Sequence, residues 1–406
     1  MGNIQEIVGR KSIHPFPARM APSIALEAIG TFDSGQRVLD PMSGSGTVLA
    51  VARSQGHRAF GIDCDPLAVL NSKVWTTAID PEVVQHKAKD VLSRANLLFE
   101  ETAIRDAYPS NADDETRRFI RFWFDQRSRR QLAALATCIR RIHSQSTRDV
   151  LWSGFSRMII AKSYGVSLAM DLSHSRPHKV FEHAPVLPFE RFLSDVTHVS
   201  LNCPKSFSKG VGPQTNVKLG DSRKLPFNRS SFDVVVTSPP YLNAIDYIRC
   251  SKFSLVWMGY LISDLRDVRK SSVGSENASG FVAKEIVSKA AQKMGKISRL
   301  PERTQRMLRM FVDDMKKSID EVARVLRPDG TAVYVLGNNQ IKEVFVSNSN
   351  AVKALAEIAG LEVEREVVRD LPPNQRYLPP PSKKSSGDSF QARMRKEVVL
   401  TFRKPC

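Results

Sequence analysis

Two short stretches of this chain combine residue types that could do chemistry. In "VLDPMSGSGTVLAVARSQGHRAFGIDCDP", residues 38–66, an apolar strand enters a glycine-bearing turn, a helix follows, and a second strand ends in acid. Gly44 and Gly46 lack side chains, so the backbone there can turn sharply and approach a ligand closely. Asp63 closes the second strand, where an acid is placed to hold ribose hydroxyls. The arrangement suits an adenosine-containing cofactor. The dinucleotide fingerprint G-x-G-x-x-G is absent, because Leu49 stands at the third glycine's position, and no G-x-x-x-x-G-K-[ST] occurs. Asp40 precedes the turn instead. A negative residue there is poorly suited to pyrophosphate but compatible with the positively charged ammonium or sulfonium of S-adenosylmethionine. The second stretch, "DVVVTSPPYLNAIDY" at residues 233–247, follows an apolar β-branched run with Thr237, Ser238, Pro239, Pro240 and Tyr241. That is a rigid, donor-poor turn ending in an aromatic ring.

Positioning these turns requires strands with helices between them. Arg37 to Asp40 and Ala59 to Asp63 read as strands, with a helix over Thr47 to Gln55. Strand ends follow at Val217 to Asp221 and Asp233 to Val236. Phe311, Met315, Ile319, Val322 and Leu326 recur at three- and four-residue spacing, an amphipathic helix. Arg327-Pro-Asp-Gly330 is a turn that stops it. Thr331 to Leu336 is a strand, Ala351 to Ala359 a helix, and late strands lie near Leu361 to Val368 and Lys396 to Phe402. Strands alternating with helices predict a parallel, doubly wound sheet, and the two closely successive late strands allow an antiparallel edge. Ser271 to Gly280 and Pro379 to Ser389 are loop-like by composition.

On these motifs the chain resembles the amino-methylating DNA methyltransferases. "DPMSGSGT" resembles their cofactor loop and "TSPPY" their catalytic motif. "HPFPARMAP" (His14 to Pro22), "GDSRKLPF" and the closing "NQRYLPPP…RMRKEVVLTF" resemble further segments of the family. Together these cover most of residues 11–80 and 217–403. The resemblance implies an α/β, class I (Rossmann-like) methyltransferase: a doubly wound, mostly parallel seven-stranded sheet with an antiparallel edge strand, plus a mainly helical insertion. Residues 1–82 and 214–406 would form the catalytic domain and 83–213 the insertion. Asp40, Pro41, Ser43, Gly44, Gly46, Thr47 and Asp63 would bind S-adenosylmethionine. Asp221 would accept from the cofactor's adenine amine, and Phe16 and Pro17 would wall its methionine end.

The family's reaction explains the second motif. An exocyclic amine is a poor nucleophile because its lone pair is delocalised into the ring. Acceptors around the NH2 favour a tetrahedral nitrogen aimed at the methyl group. Ser238 offers a hydroxyl, the carbonyl of Pro239 offers another acceptor, and Pro239 and Pro240 fix φ. Tyr241 would stack on a base flipped from the duplex. The Pro-Cys motif of ring-carbon cytosine methylation is missing; Pro405-Cys406 is the chain's end and Cys203 precedes its proline. Serine before Pro-Pro-Tyr is the family form associated with cytosine N4, whereas adenine-N6 enzymes more often carry Asp.

A net charge of +18 and a pI near 9.8 point to a polyanionic partner. The insertion concentrates arginine in "ETRRFIRFWFDQRSRRQLAALATCIRRIHSQSTR", so it is the expected target-recognition region. Arg117, Arg121, Arg127 and Arg130 are candidate DNA contacts, and Asn243 after the catalytic turn is another. The five widely spaced cysteines form no C-x-x-C and no H-E-x-x-H occurs, so neither a metal site nor a disulfide framework is expected. No apolar run suggests a signal peptide or membrane span. The expected partner is double-stranded DNA, with a cognate restriction endonuclease as a further candidate. The expected place is the cytoplasm, associated with the nucleoid through DNA. The expected activity is cytosine-N4 methylation of DNA. N6-adenine methylation, an RNA base methyltransferase and a catalytically idle DNA-binding protein are the alternatives.

Overall fold

A computed structural model describes residues 3–16, 19–101, 103–172, 177–205, 215–240, 247–274, 284–341, 343–371 and 396–406. Its strands are β1 (Arg37–Asp40), β2 (Arg58–Asp63), β3 (Thr215–Leu219), β4 (Phe232–Thr237), β5 (Leu326–Gly337), β6 (Asn339–Ile341), β7 (Val344–Val346), β8 (Glu362–Asp370) and β9 (Lys396–Arg403). Seven of them form one sheet in the order β3-β2-β1-β4-β5-β9-β8, and β6 with β7 makes a separate hairpin. The order, with helices connecting parallel strands, is the class I, Rossmann-like methyltransferase arrangement. The antiparallel element at one edge comes from the last strand, since β9 runs antiparallel to both β5 and β8. Among the described residues no helix is long and apolar enough to cross a membrane.

The chain folds as two compact units. The first comprises Met1–Leu26, Ser43–Leu219 and Asp246–Arg269, so it contains the whole of the arginine-rich stretch 83–213. Its β2 and β3 pair in parallel, Gly61 opposite Val217. Helices Pro81–Glu101, Asp114–Trp123, Gln126–Arg140, Gln145–Ile159 and Pro188–Leu201 realise the helical periodicity of that stretch. Asp113, Asp125 and Ser144 cap three of these helices through their side chains, which satisfies N–H groups that helix starts leave unpaired. Leu132, Leu135, Phe155, Phe192, Val196, Phe253 and Trp257 belong to one buried core. Gly154 permits a close helix crossing: a Cβ there would lie 2.9 Å from the Cα of Val196.

The second unit comprises Glu27–Met42, Gly220–Ile245 and Lys270–Cys406. β1, β4 and β5 run parallel, Val38 opposite Val234 and Val235 opposite Ala332. Val234, Val235 and Val236 are fully buried, as a strand covered on both faces requires. The amphipathic helix spans Glu302–Val325 and passes straight into β5. Here the structure differs from the expected turn at Arg327-Pro-Asp-Gly330, which lies inside the strand. Phe232 pairs with Leu326 and Val234 with Thr331, so 327–330 leave the ladder as a bulge. Asp329 takes φ 60 there, and its N–H donates to the Lys404 carbonyl at 2.9 Å. The turn chemistry is present, but β9's neighbour Lys404 pairs it into the sheet.

Candidate functional site

In the first unit the glycine turn is built around Asp63. The Ser43 N–H donates to the Ile62 carbonyl at 2.9 Å and the Gly46 N–H to the Ser43 carbonyl at 2.8 Å. Asp63, at the end of β2, accepts from the Gly44 N–H at 2.7 Å and the Asp65 N–H at 2.9 Å. Burial pushes its carboxyl up, and these N–H groups oppose the shift. Gly46 caps helix Thr47–Ser54 with φ 81, and a Cβ there would sit 2.9 Å from the Cα of Ser72. Ser72 in turn donates its hydroxyl to the Gly44 carbonyl at 3.1 Å. Gly46→Ala is therefore expected to destabilise the fold by about 1–3 kcal/mol through left-handed strain and contact with backbone. Thermal unfolding checks this, and an unchanged midpoint would show that the turn is loose.

Two further hydroxyls of the turn are buried. Ser43 is buried, and its Oγ has no hydrogen-bond partner among the described residues. Thr47 is also buried, with its Oγ1 3.1 Å from Ser45 Oγ. A side-chain-free backbone, an unpartnered buried hydroxyl and a strand-end acid are what an adenosine cofactor would use. Phe16 is buried in the same unit. Pro17 lies outside the described residues.

Sequence reading missed the groups behind this turn. Asp65 is buried, caps helix Pro66–Thr76 through the Leu67 N–H at 2.8 Å, and accepts from the Ser251 hydroxyl. Burial, then the adjacent Asp63 charge, push its carboxyl up to about 7 from 3.8. The fold thus holds a proton that the unfolded chain releases near pH 3.8. Its contribution to stability is complete below that pH and is lost as pH rises towards about 7. Asp65→Asn, which keeps a capping oxygen, should flatten the pH dependence over this window by on the order of a few kcal/mol. Calorimetry at pH 5 and 8 should show the variant gaining on the parent at the higher pH; parallel profiles would remove Asp65 from this role.

The N-terminal motif is also held from a distance. His14 Nε2 lies 2.9 Å from Ser156 Oγ, which donates to Ser254 Oγ at 2.9 Å. Burial, then Arg157 and Arg19, lower the His14 pKa to about 3, so the ring is neutral. Arg157 donates to the Ile13 carbonyl and to Asp195, and His198 Nε2 lies 3.0 Å from the Ser12 carbonyl. Helices Gln145–Ile159 and Pro188–Leu201 of the stretch expected to read DNA therefore hold Ser12, Ile13 and His14 as well.

In the second unit the strand ends are tied together. Asp40 is buried, and its Oδ1 accepts from the Thr237 hydroxyl at 2.9 Å and the Met42 N–H at 3.1 Å. Thr237 is the last residue of β4 and is fully buried. Ser238 and Pro240 are half-buried, Pro239 and Pro41 buried. Asp221 is gripped by its own turn: the Arg223 guanidinium bonds both carboxylate oxygens at 2.7–3.0 Å and reaches buried Asp314 at 2.6 Å. The Asp221 side chain remains 43% exposed, so acceptor capacity is left beside that pair. Tyr241 and Asn243 lie outside the described residues.

The candidate arginines divide by environment. Arg121 and Arg127 are exposed, with no side-chain partner among the described residues. Arg117 is exposed, donates to the Ala112 carbonyl at 3.0 Å and lies over the Tyr108 ring at 5.6 Å. Arg130 is half-buried, donates to the Phe99 carbonyl at 2.6 Å and covers the Phe99 ring at 4.2 Å, a structural engagement of its guanidinium. No group of three or more potential metal ligands occurs among the described residues.

No family model matches the chain. It is 25% identical over 429 aligned positions to the Type II methyltransferase M.MvaI of Kocuria varians, covering 99% of this chain and 92% of that one. It is 22% identical over 258 positions to the Type II methyltransferase M.BsoBI of Geobacillus stearothermophilus, covering 59% and 50%. A solved SAM-dependent methyltransferase from Methanosarcina mazei aligns over 96% of this chain and 99% of that one, with 10% identity and a TM-score of 0.34. The chain is thus similar to two Type II methyltransferases, and the likeness to one of them spans nearly the full length of both chains.

Proposed function

We propose that this chain is an S-adenosylmethionine-dependent DNA methyltransferase that methylates the exocyclic N4 amine of cytosine on a flipped base. The observation that carries the chemistry is the turn Ser238-Pro239-Pro240 at the end of β4, where Thr237 is locked to Asp40. S-adenosylmethionine, when bound, supplies an electrophilic methyl group on a sulfonium. The backbone of Gly44 to Gly46, the Ser43 hydroxyl and Asp63 would hold its adenosine part, with Phe16 and Pro17 near its methionine end. Asp221 would accept from its adenine amine.

Ser238 accepts from the target amine through its hydroxyl, and the Pro239 carbonyl accepts the second N–H. Because proline fixes φ, these acceptors are aimed before the substrate arrives, and no reorganisation accompanies the reaction. Tyr241 is read as the ring that stacks on the extruded base. Ser238 is half-buried. Type II methyltransferases among the relatives support DNA as the substrate, and a cognate restriction endonuclease is the partner this reading implies.

Incubation with methyl-labelled cofactor and genomic DNA, followed by nucleoside analysis, tests the reading. Label in N4-methylcytosine is expected. Label in N6-methyladenine would overturn the base assignment, and label confined to RNA would overturn the DNA substrate.

A further inference from the structure

The first unit contains a cavity of about 510 Å³ lined by Arg105, Arg117, Arg140, Arg141, Tyr108 and Asp106, among others. The arginines arrive from three elements: the turn Ile104–Asp106, helix Asp114–Trp123 and the end of helix Gln126–Arg140. Asp106 is the lone acid of the lining, and it lies 3.5 Å from Arg105, where both are widely exposed. Two guanidiniums are held in place without losing their charge to a carboxylate. Arg140 donates to the Trp257 carbonyl at 2.8 Å and lies 6.0 Å from the Trp152 ring centre. Arg117 donates one N–H to the Ala112 carbonyl and covers Tyr108. Arg141 is exposed and has no side-chain partner among the described residues.

We infer that this arginine pocket seats the phosphodiester backbone of duplex DNA. A guanidinium fork matches a phosphate with two parallel N–H donors, and fixing it in advance lowers the entropy lost on binding. Burial lowers the Arg140 pKa and no carboxylate opposes that effect, so an incoming anion would relieve a desolvated charge. The pocket is larger than one phosphate ion, and the chain's net charge of +18 draws a long polyanion towards it. The inference rests on the DNA reading above. Backbone contacts of this kind set affinity and register without reading sequence.

The test is the double variant Arg117→Gln/Arg141→Gln, which spares Arg140 and its structural bond. Duplex DNA binding is followed by fluorescence anisotropy across a series of NaCl concentrations. The slope of log affinity against log salt should fall in magnitude by about 2, because two phosphate contacts no longer release counterions. S-adenosylmethionine affinity should stay at the parental value, and the thermal midpoint should fall only by what the lost Arg117 bond to the Ala112 carbonyl accounts for. Lys87→Gln/Lys89→Gln removes the same charge from an exposed helix face outside the pocket and should leave the slope nearly unchanged. An unchanged slope in the arginine variant, or an equal fall in the lysine variant, would overturn the pocket. Pyrophosphate binding that the arginine variant abolishes while duplex binding persists would assign the pocket to a free polyphosphate instead. A parent protein that binds no duplex would sink the DNA reading with it, whereas intact methylation with an unaltered slope would sink this inference alone.

Discussion

Ser238→Ala is expected to lower turnover by about 100-fold or more while leaving S-adenosylmethionine affinity unchanged. On the proposed reading the hydroxyl serves the target amine, and β4 is anchored without it one residue earlier, by the Thr237 hydroxyl on Asp40. Ser238 itself is half-buried, so its loss leaves no large cavity. The thermal midpoint should therefore stay put. Single-turnover methylation and calorimetric titration of the cofactor separate the two quantities. Equal losses of rate and cofactor affinity would place Ser238 in the cofactor site, and an unchanged rate would leave the amine without its acceptor.

Asp63→Ala carries the second large effect, on binding and stability together. The carboxylate is the shared acceptor for the Gly44 and Asp65 N–H groups, so its removal leaves two donors of the turn unpaired. Each buried orphan costs about 1–3 kcal/mol. The turn that presents Gly44 and Gly46 then loses its anchor, and cofactor affinity should fall at least roughly tenfold, equivalent to about 1.4 kcal/mol. A further signature distinguishes this from general damage. The Asp63 charge is one of the causes that raise Asp65, so the pH-dependent loss of stability assigned to Asp65 should move to lower pH in the variant. Titration of S-adenosylmethionine and melting curves across pH 4 to 8 check both. Unaltered cofactor binding would remove Asp63 from the ribose position.

The strands carrying the site were legible because their signals are local. β1, β2 and β4 are short apolar runs ending in Asp40, Asp63 and Thr237, and their residue patterns match the strand bounds to within about a residue. Helix Glu302–Val325 announced itself through repeated apolar spacing, although its start lies well before Phe311. The bulge at 327–330 was legible as turn chemistry and illegible as part of a strand. Its place in the ladder depends on Lys404, which lies far along the chain. Arginine density likewise pointed to a basic stretch without sorting it. Arg117 and Arg130 each carry a structural bond that no periodicity announces.

The sequence by itself determined the order of the motifs, the doubly wound sheet and the residue types of both turns, because glycine freedom, proline rigidity and apolar spacing act over a few residues. Tertiary structure alone decided what holds those turns. Thr237 reaches Asp40 across 197 positions, Ser251 reaches Asp65 across 186, His14 reaches Ser156 across 142, and Arg223 joins Asp221 to Asp314 across 91. Such pairs depend on strand register and helix crossing, and hydrogen-bond partners so far apart along the chain leave no local trace in the residues between them.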